Sequence, residues 1–389
     1  MVWGINIKFL IKLLSIVLVS VLIALVVGGC DTKDKMSAPT QITVTDMAGR
    51  QVSVTVPVKK VVLGCAKDLP TFAVVAGEDF PRKIAGWGAT AVRPSAWDQG
   101  IFLKYKEKYP EIEAISDVGS HAQGTFSVEK VISLKPDVVI FPLWLLLNEY
   151  PSVAEDIARM EGVGIPTVFI DFGDKPLENT IPSTLLLGTL LGKEERAKEI
   201  MNFFQKQVNE VVSRMQKIKK PKFKVYLEAG GKGPSGYGST CGNHSWCGFV
   251  VKAGGINIAE GIIKRWGQIN PEYLLKTNPD VIIIVGLEPP SSMRFGYPVN
   301  PEESRQVLKA YTERPGWNNL SAVKNGRVYG VFNNYLIFNI YNFAVIEAIS
   351  KWFYPDEFKD LDPEANLREF HKKFFPVNYS GVWMIGIQD

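Results

Sequence analysis

The chain has 389 residues, 46% of them hydrophobic and 22% charged, with 44 Lys and Arg against 40 Asp and Glu. That length carries two domains with cores of their own. A formal net charge of +4, with no basic aromatic patch, excludes a nucleic-acid surface as the main purpose of the protein.

At the start, Lys8 and Lys12 precede an apolar run from Leu13 to Val27, followed by Gly28, Gly29 and Cys30. A basic beginning, about fifteen apolar residues and a small-residue exit predict a secretory leader over 1–29, not a structural helix. The cysteine after two glycines resembles the lipobox of bacterial and archaeal lipoproteins, in which Cys30 becomes the lipidated N-terminus. A plain membrane-anchor helix is the alternative. The polar stretch after Cys30 reads as a flexible tether over 30–40. Losing Lys8 and Lys12 takes the formal charge from +4 to +2. The expected product is exported, lipid-anchored to the outer face of the cell membrane and otherwise soluble.

Ile42 to Val56 alternates around Ala48-Gly49-Arg50 and predicts a β-hairpin. Val61 to Gly64, Ile84 to Trp87, Val138 to Phe141 and Thr167 to Ile170 predict short buried strands. Helices are expected over Leu69 to Ala76 and Val153 to Met160. This alternation is the pattern of a parallel α/β lobe over 41–175. Residues 176–193 predict an apolar connecting helix interrupted by Pro182, and Lys193 to Lys220 a charged-face helix. A second lobe over 194–389 then holds strands from Lys224 and Val328, a helix from Ser245 to Ala253, and closing helices over Tyr341 to Phe353 and Glu364 to Phe375.

A repeat links the two lobes. Ser127 to Ile140 aligns without a gap on Asn270 to Ile283. Each copy opens on a good N-cap residue, carries a Glu at the second helical position (Glu129, Glu272), leaves the helix through Pro-Asp and enters a β-branched strand. One unit used twice predicts two similar lobes with a ligand cleft between them.

Several strings together carry a family resemblance: Thr45 to Arg50, Gly164 to Val168, Leu187 to Gly192, Lys252 to Asn257, Pro315 to Leu320 and Val323 to Tyr329. In order and spacing the chain resembles the substrate-binding lipoproteins of the iron–siderophore and cobalamin ABC importers (class III periplasmic binding proteins) across nearly everything after residue 40. The resemblance implies an α/β fold of two Rossmann-like lobes with central parallel sheets, joined by a single long connecting helix, with a cleft between the lobes. It implies as partners a permease dimer with its cytoplasmic ATPase. It also implies a metal-chelate ligand, a ferric siderophore foremost, with haem or cobalamin as alternatives. It places transporter docking on Glu129 and Glu272, although the helix dipole alone also favours a carboxylate there. The expected protein is a monomer, not an enzyme, with no cofactor.

The ligand site is expected where the strand ends of the lobes face each other. The first lobe offers Lys67, Trp87, His121 and Trp144 there. The second offers Tyr237, His244, Trp246, Arg265, Trp266 and Arg294. Aromatic walls with a few cations suit a bulky anionic chelate, while hydrophobic packing is the competing role for any one Trp. Between Gly230 and Gly248, Cys241 and Cys247 are placed to pair as a disulfide. Cys241, His244 and Cys247 also have metal-ligand spacing, with Cys65 as a fourth donor, and free thiols are a third state. Binding of a bare metal ion or an oxyanion is the alternative, and three histidines in all weaken the free-metal form; a secreted hydrolase is a remote alternative, with no Gly-x-Ser-x-Gly or His-Glu-x-x-His motif to support it.

Overall fold

β-branched runs form the centres of two sheets, one per lobe, in a computed structural model that describes residues 38–88, 99–147, 150, 152–286, 293–332 and 336–389. The leader, Cys30 and most of the tether lie outside the described residues. Ahead of the first lobe, β1 (Thr40–Thr45) and β2 (Gln51–Val56) form the expected antiparallel hairpin. The first-lobe sheet contains β3 (Val61–Leu63), β4 (Ile84–Trp87), β5 (Ser116–Asp117), β6 (Val138–Pro142) and β7 (Thr167–Ile170). Its order is β5-β4-β3-β6-β7 and every pairing is parallel.

The second lobe contributes β8 (Lys224–Ala229), β9 (Thr240–Cys241), β10 (Ile256–Asn257), β11 (Trp266–Gly267), β12 (Val281–Gly286), β13 (Val328–Phe332) and β14 (Met384–Gly386). The main sheet runs β10-β8-β12-β13-β14, parallel except for the edge strand β14. β9 and β11 form a separate antiparallel pair.

Period-two alternation divides the first-lobe sheet between two cores. Val61, Leu63, Val138, Ile140, Val168 and Ile170 face one, while Val62, Val139, Phe141 and Phe169 face the other. Burial of both faces is why these strands read as unbroken apolar runs. The first of these cores does not stop at the lobe boundary. It includes α1 (Leu69–Ala76) and continues through Leu187, Leu190 and Phe204 to Val225, Ile282 and Ile346 of the second lobe. Residues Pro39–Asp389 accordingly make one compact unit.

The repeat is visible in detail. Helix α2 (Val128–Leu134) leads into β6 as a later seven-residue helix, Pro271–Thr277, leads into β12. Ser127 Oγ accepts from Lys130 N, and Asn270 Oδ1 accepts from Glu272 N and Tyr273 N. Both helices end on a left-handed residue, Lys135 (φ 50°) and Asn278 (φ 49°), which turns the chain before Pro136 and Pro279.

After α3 (Val153–Gly162) and β7 complete the first lobe, the chain crosses through α4 (Thr180–Leu191) and α5 (Glu194–Met215). The crossing helix starts at Thr180, not at 176. Asp171 explains the delay: its carboxylate accepts from Gly173 N, Asp174 N, Lys175 N and Asn179 Nδ2, holding 171–179 in a tight turn. Pro182 sits in the first turn of α4, where an N–H has no helical partner to lose. Gly192 in the left-handed region (φ 63°) then separates α4 from α5.

A buried ion pair holds the glycine-rich loop that follows β8. Arg314 donates to both oxygens of Glu228, at 2.7 and 2.9 Å, and to the carbonyls of Gly233, Pro234 and Gly236. Its guanidinium lies over the rings of Tyr237, Tyr311 and Trp317 at 4.4–4.7 Å. Glu228 also accepts from Gly238 N. Removing one partner leaves the other charged and dry. Arg314→Ala is therefore expected to cost about 3–5 kcal/mol in urea unfolding. Replacing both partners together (Glu228→Gln with Arg314→Met) should cost clearly less.

Candidate functional site

In each sheet the chain leaves a central strand first to one side and later to the other. The reversals lie between β3 and β6 and between β8 and β12. The carboxyl ends of these strands are where open α/β sheets bind ligands. On the first lobe they present the turn Gly64 to Asp68 and the helical turn Trp144–Leu147; on the second they present the loop from Gly230.

The second-lobe wall is assembled by three local devices. The β9–β11 pair sets Trp266 opposite Cys241, the Cys241–Cys247 disulfide ties that strand to the next helix, and His244, at the N-cap position of α6 (Ser245–Lys252), bonds the Arg265 carbonyl through its ring. Ser245 enters that helix at φ 49°, an uncommon conformation for a residue with a Cβ. The result is an aromatic corner. Trp266 is 39% exposed, and its ring meets Trp246 and His244 edge-on at 5.3 Å each. Trp246 is buried behind it and meets Phe338 at 6.3 Å.

This wall also gathers buried polar atoms without a hydrogen bond: Thr240 Oγ1, His244 Nδ1, Ser245 Oγ, Trp246 Nε1 and Arg265 Nε. Buried polar groups are normally satisfied, so such a concentration is notable. Burial holds the His244 imidazole below the usual histidine range, and its Nε2 donates to the Arg265 carbonyl at 3.0 Å. The neutral ring therefore carries its lone pair on Nδ1.

The same wall is fastened to the crossing segment. Arg265 Nη2 lies 2.8 Å from Asp174 Oδ1, Ser245 N donates to the Asp174 carbonyl at 3.1 Å, and Lys252 pairs with Glu178. Gly173 has no room for a side chain, because a Cβ there would lie 2.0 Å from the Phe338 ring. Nearby, Asn339 accepts from Thr71 Oγ1 at 2.7 Å and Asn342 Nδ2 donates to Thr180 Oγ1 at 2.9 Å. Asp174, Phe338, Thr71 and Asn339 were not singled out by sequence reasoning. Their partners are roughly 90–270 residues away in the chain, beyond any local pattern.

The residues expected in the cleft separate into groups. Trp246, Arg265, Trp266 and His244 come together. On the first lobe, Lys67 is partly exposed beside Asp68, and Trp144 meets Tyr150 edge-on at 6.2 Å. Trp87 is a correction: at 1% exposure it packs against Phe102 inside the core. His121 is another. Its ring is stacked on Phe126 at 3.9 Å and its Nε2 bonds Asp156 Oδ2 at 3.1 Å, so it is a satisfied core histidine on that side. Burial holds its imidazole below the usual range against the pull of Asp156. Tyr237 is partly buried, accepting from Trp317 Nε1 as it packs the loop, and Arg294 is exposed and paired with Glu303 at 3.0 Å.

A metal centre at Cys241, His244 and Cys247 is also corrected, because the disulfide consumes both thiolates. No cluster of metal-ligating side chains occurs among the described residues. Cys65 is buried and lies outside the disulfide. Glu129 and Glu272 are both exposed in the first turns of their helices, on the side of each lobe to which the strand ends point.

A family model described as periplasmic binding protein matches residues 78–335. Among solved structures, the TroA-like periplasmic binding protein FepB from Veillonella parvula is similar with a TM-score of 0.81 and 38% identity, over 89% of this chain and 99% of that one. By sequence, the chain is 23% identical to the molybdate-binding protein MolA of Haemophilus influenzae, over 73% of this chain and 79% of that protein. It is 24% identical to the iron(3+)-hydroxamate-binding protein YxeB of Bacillus subtilis, over 62% and 67%.

Asp68, at the end of the turn that follows β3, gives the site a measurable pH signature. Burial pushes its carboxyl up to about 8, only partly offset by Lys67, and its Oδ2 has no hydrogen bond. Between the ordinary value of 3.8 and about 8, the folded chain holds a proton that the unfolded chain has lost. This group's contribution therefore falls as pH rises through that window, by up to ~1.4 kcal/mol per pH unit, and levels off above it. Asp68→Asn should flatten that part of the decline in denaturant titrations run from pH 4 to 9.

Proposed function

Since the chain belongs to the periplasmic binding protein family and is the substrate-binding component of an ABC importer, we propose that it captures a metal chelate outside the membrane. A ferric siderophore is the foremost candidate, with haem or cobalamin as alternatives of the same class. The observation that carries this reading is the corner of Trp266, Trp246 and His244 with its unsatisfied buried polar atoms and the adjacent Arg265. An exposed indole backed by buried aromatic rings, with unsatisfied polar atoms and an Asp174-paired guanidinium beside it, suits a large, partly apolar ligand that carries polar groups. Lys67 and Trp144 would face it from the first lobe.

A second reading is a bare oxyanion, supported by the similarity to MolA, whose name specifies molybdate. The two readings differ in what the protein carries. Mass spectrometry and visible absorbance of the protein purified from its native source should reveal a chromophoric chelate; a colourless protein retaining only an oxyanion would favour the second reading. Ligand-induced quenching of tryptophan fluorescence without turnover of a chromogenic ester panel would support binding without catalysis.

Delivery completes the proposal. The leader over 1–29 is removed and Cys30 anchors the mature monomer to the outer face of the cell membrane through lipid. Lobes over 41–175 and 194–389, joined through 176–193, hold the ligand between them. Glu129 and Glu272, one per lobe and both exposed, dock on the permease dimer that its ATPase drives. Charge complementarity of that kind sets register and on-rate.

Two outcomes are expected. Cys30→Ser should move the protein from the membrane fraction to the soluble one. Glu129→Arg with Glu272→Arg should lower cellular uptake of the chelate at least about tenfold while leaving its Kd for the purified protein within about twofold, because like charges at an interface oppose docking but not ligand capture.

A further inference from the structure

The two docking glutamates occupy the same position of the same repeated unit, yet their surroundings differ. Arg159, on α3, pairs through Nη2 with Glu129 Oε1, and Ser127 Oγ lies 3.5 Å from the other carboxylate oxygen. Arg159 is itself held by Asp156, with Nη1 3.7 Å from Oδ1, while Asp156 Oδ2 is bonded to the buried His121. A chain of four side chains thus runs from the interior of the first lobe to its carboxylate. On the second lobe, Glu272 forms no ion pair among the described residues; its first turn is capped by Asn270 and tied to the Ile258 carbonyl through the Tyr273 hydroxyl.

Resting on the docking role proposed above, we infer that Arg159 is a positioning residue that makes the docking face electrostatically unequal. Glu272 is the primary anchor for a cationic pocket on the permease, and Glu129 engages only after exchanging its internal partner. Three features carry this. The Glu129 carboxylate is already neutralised by a guanidinium on the same surface, so it contributes little to the long-range field that steers association. A cationic pocket approaching Glu129 also meets Arg159, which repels it. Both groups are substantially exposed, at 71% and 47%, so the internal pair is weak enough to exchange rather than block docking outright. Asp156 and His121 keep Arg159 close to Glu129, so the handicap is built into the fold of the first lobe.

The test is binding of the full-length protein to its importer's permease–ATPase complex in lipid nanodiscs, with association rates read at low and high salt. Glu272→Gln is expected to weaken binding at least about tenfold and Glu129→Gln less than about threefold. Arg159→Ala should speed association about three- to tenfold at low salt, with the gain lost at high salt and smaller in a Glu129→Gln background, where only the relief of repulsion remains. Arg159→Gln, which keeps most of the stem that covers α3, should behave like Arg159→Ala, whereas a purely structural role for Arg159 would make the two differ. Equal losses from Glu129→Gln and Glu272→Gln, or slower association in Arg159→Ala, would overturn the asymmetry while leaving the docking role standing. Unchanged binding in the doubly substituted protein would overturn the docking role itself, and the asymmetry with it.

Discussion

Two carboxylates fix the geometry on which both the strand-end site and the proposed docking face depend. Asp137 Oδ2 accepts from the backbone of Lys59 and Lys60, at 2.6 and 2.8 Å, at the entrance to β3. Asp280 Oδ2 accepts from Lys224 N at 2.8 Å at the entrance to β8. The lysines return the favour: Lys60 Nζ donates to the Leu134 carbonyl and Lys224 Nζ to the Thr277 carbonyl, closing the last turns of the repeated helices. Each helix is thereby locked at its C-terminal end to the base of the strand beside its own. With that end fixed, its N-terminus, and the glutamate on it, can only point toward the carboxyl ends of the strands. The Pro-Asp pair is thus less a helix stop than a fastener between neighbouring strands.

From that constraint the rest of the site follows in layers. The same device recurs in both sheets, so each lobe carries its repeated helix start at the carboxyl ends of its own strands. The crossing segment, ordered by Asp171, brings Asp174 to Arg265 and Gly173 to Phe338, so the aromatic wall of the second lobe is braced by the first. The disulfide and the β9–β11 pair then set the angle of Trp266 on Trp246. A wall supported from both lobes is preorganised, which lowers the ordering cost of binding.

Much of this was legible in the sequence, for a physical reason. Strands β4 and β7 and helix α1 fall on their expected residues, because buried apolar runs bounded by Gly, Pro or Asp carry their own punctuation. The repeat was legible because the same fastener was written twice. What the sequence did not yield was direction and distant partnership. Trp87 and His121 stand at strand ends, yet they turn inward onto Phe102 and Phe126, and nothing local distinguishes an inward aromatic from an outward one. The start of α4 was misplaced because the carboxylate that competes for residues 171–179 precedes the apolar stretch. The partnership of Arg159 with Glu129 spans thirty positions and joins two helices, so no helical periodicity encodes it.

The continuous core across the lobes has a mechanical meaning. The lobes share buried surface through α1, α4 and α5, with Thr71, Asn339 and Asn342 bonded across the seam. Spreading them would open apolar surface and break those bonds together, so the seam resists separation of the lobes. The fold is a stiff clip rather than a loose hinge: work to widen the cleft proposed above has to come from outside the fold.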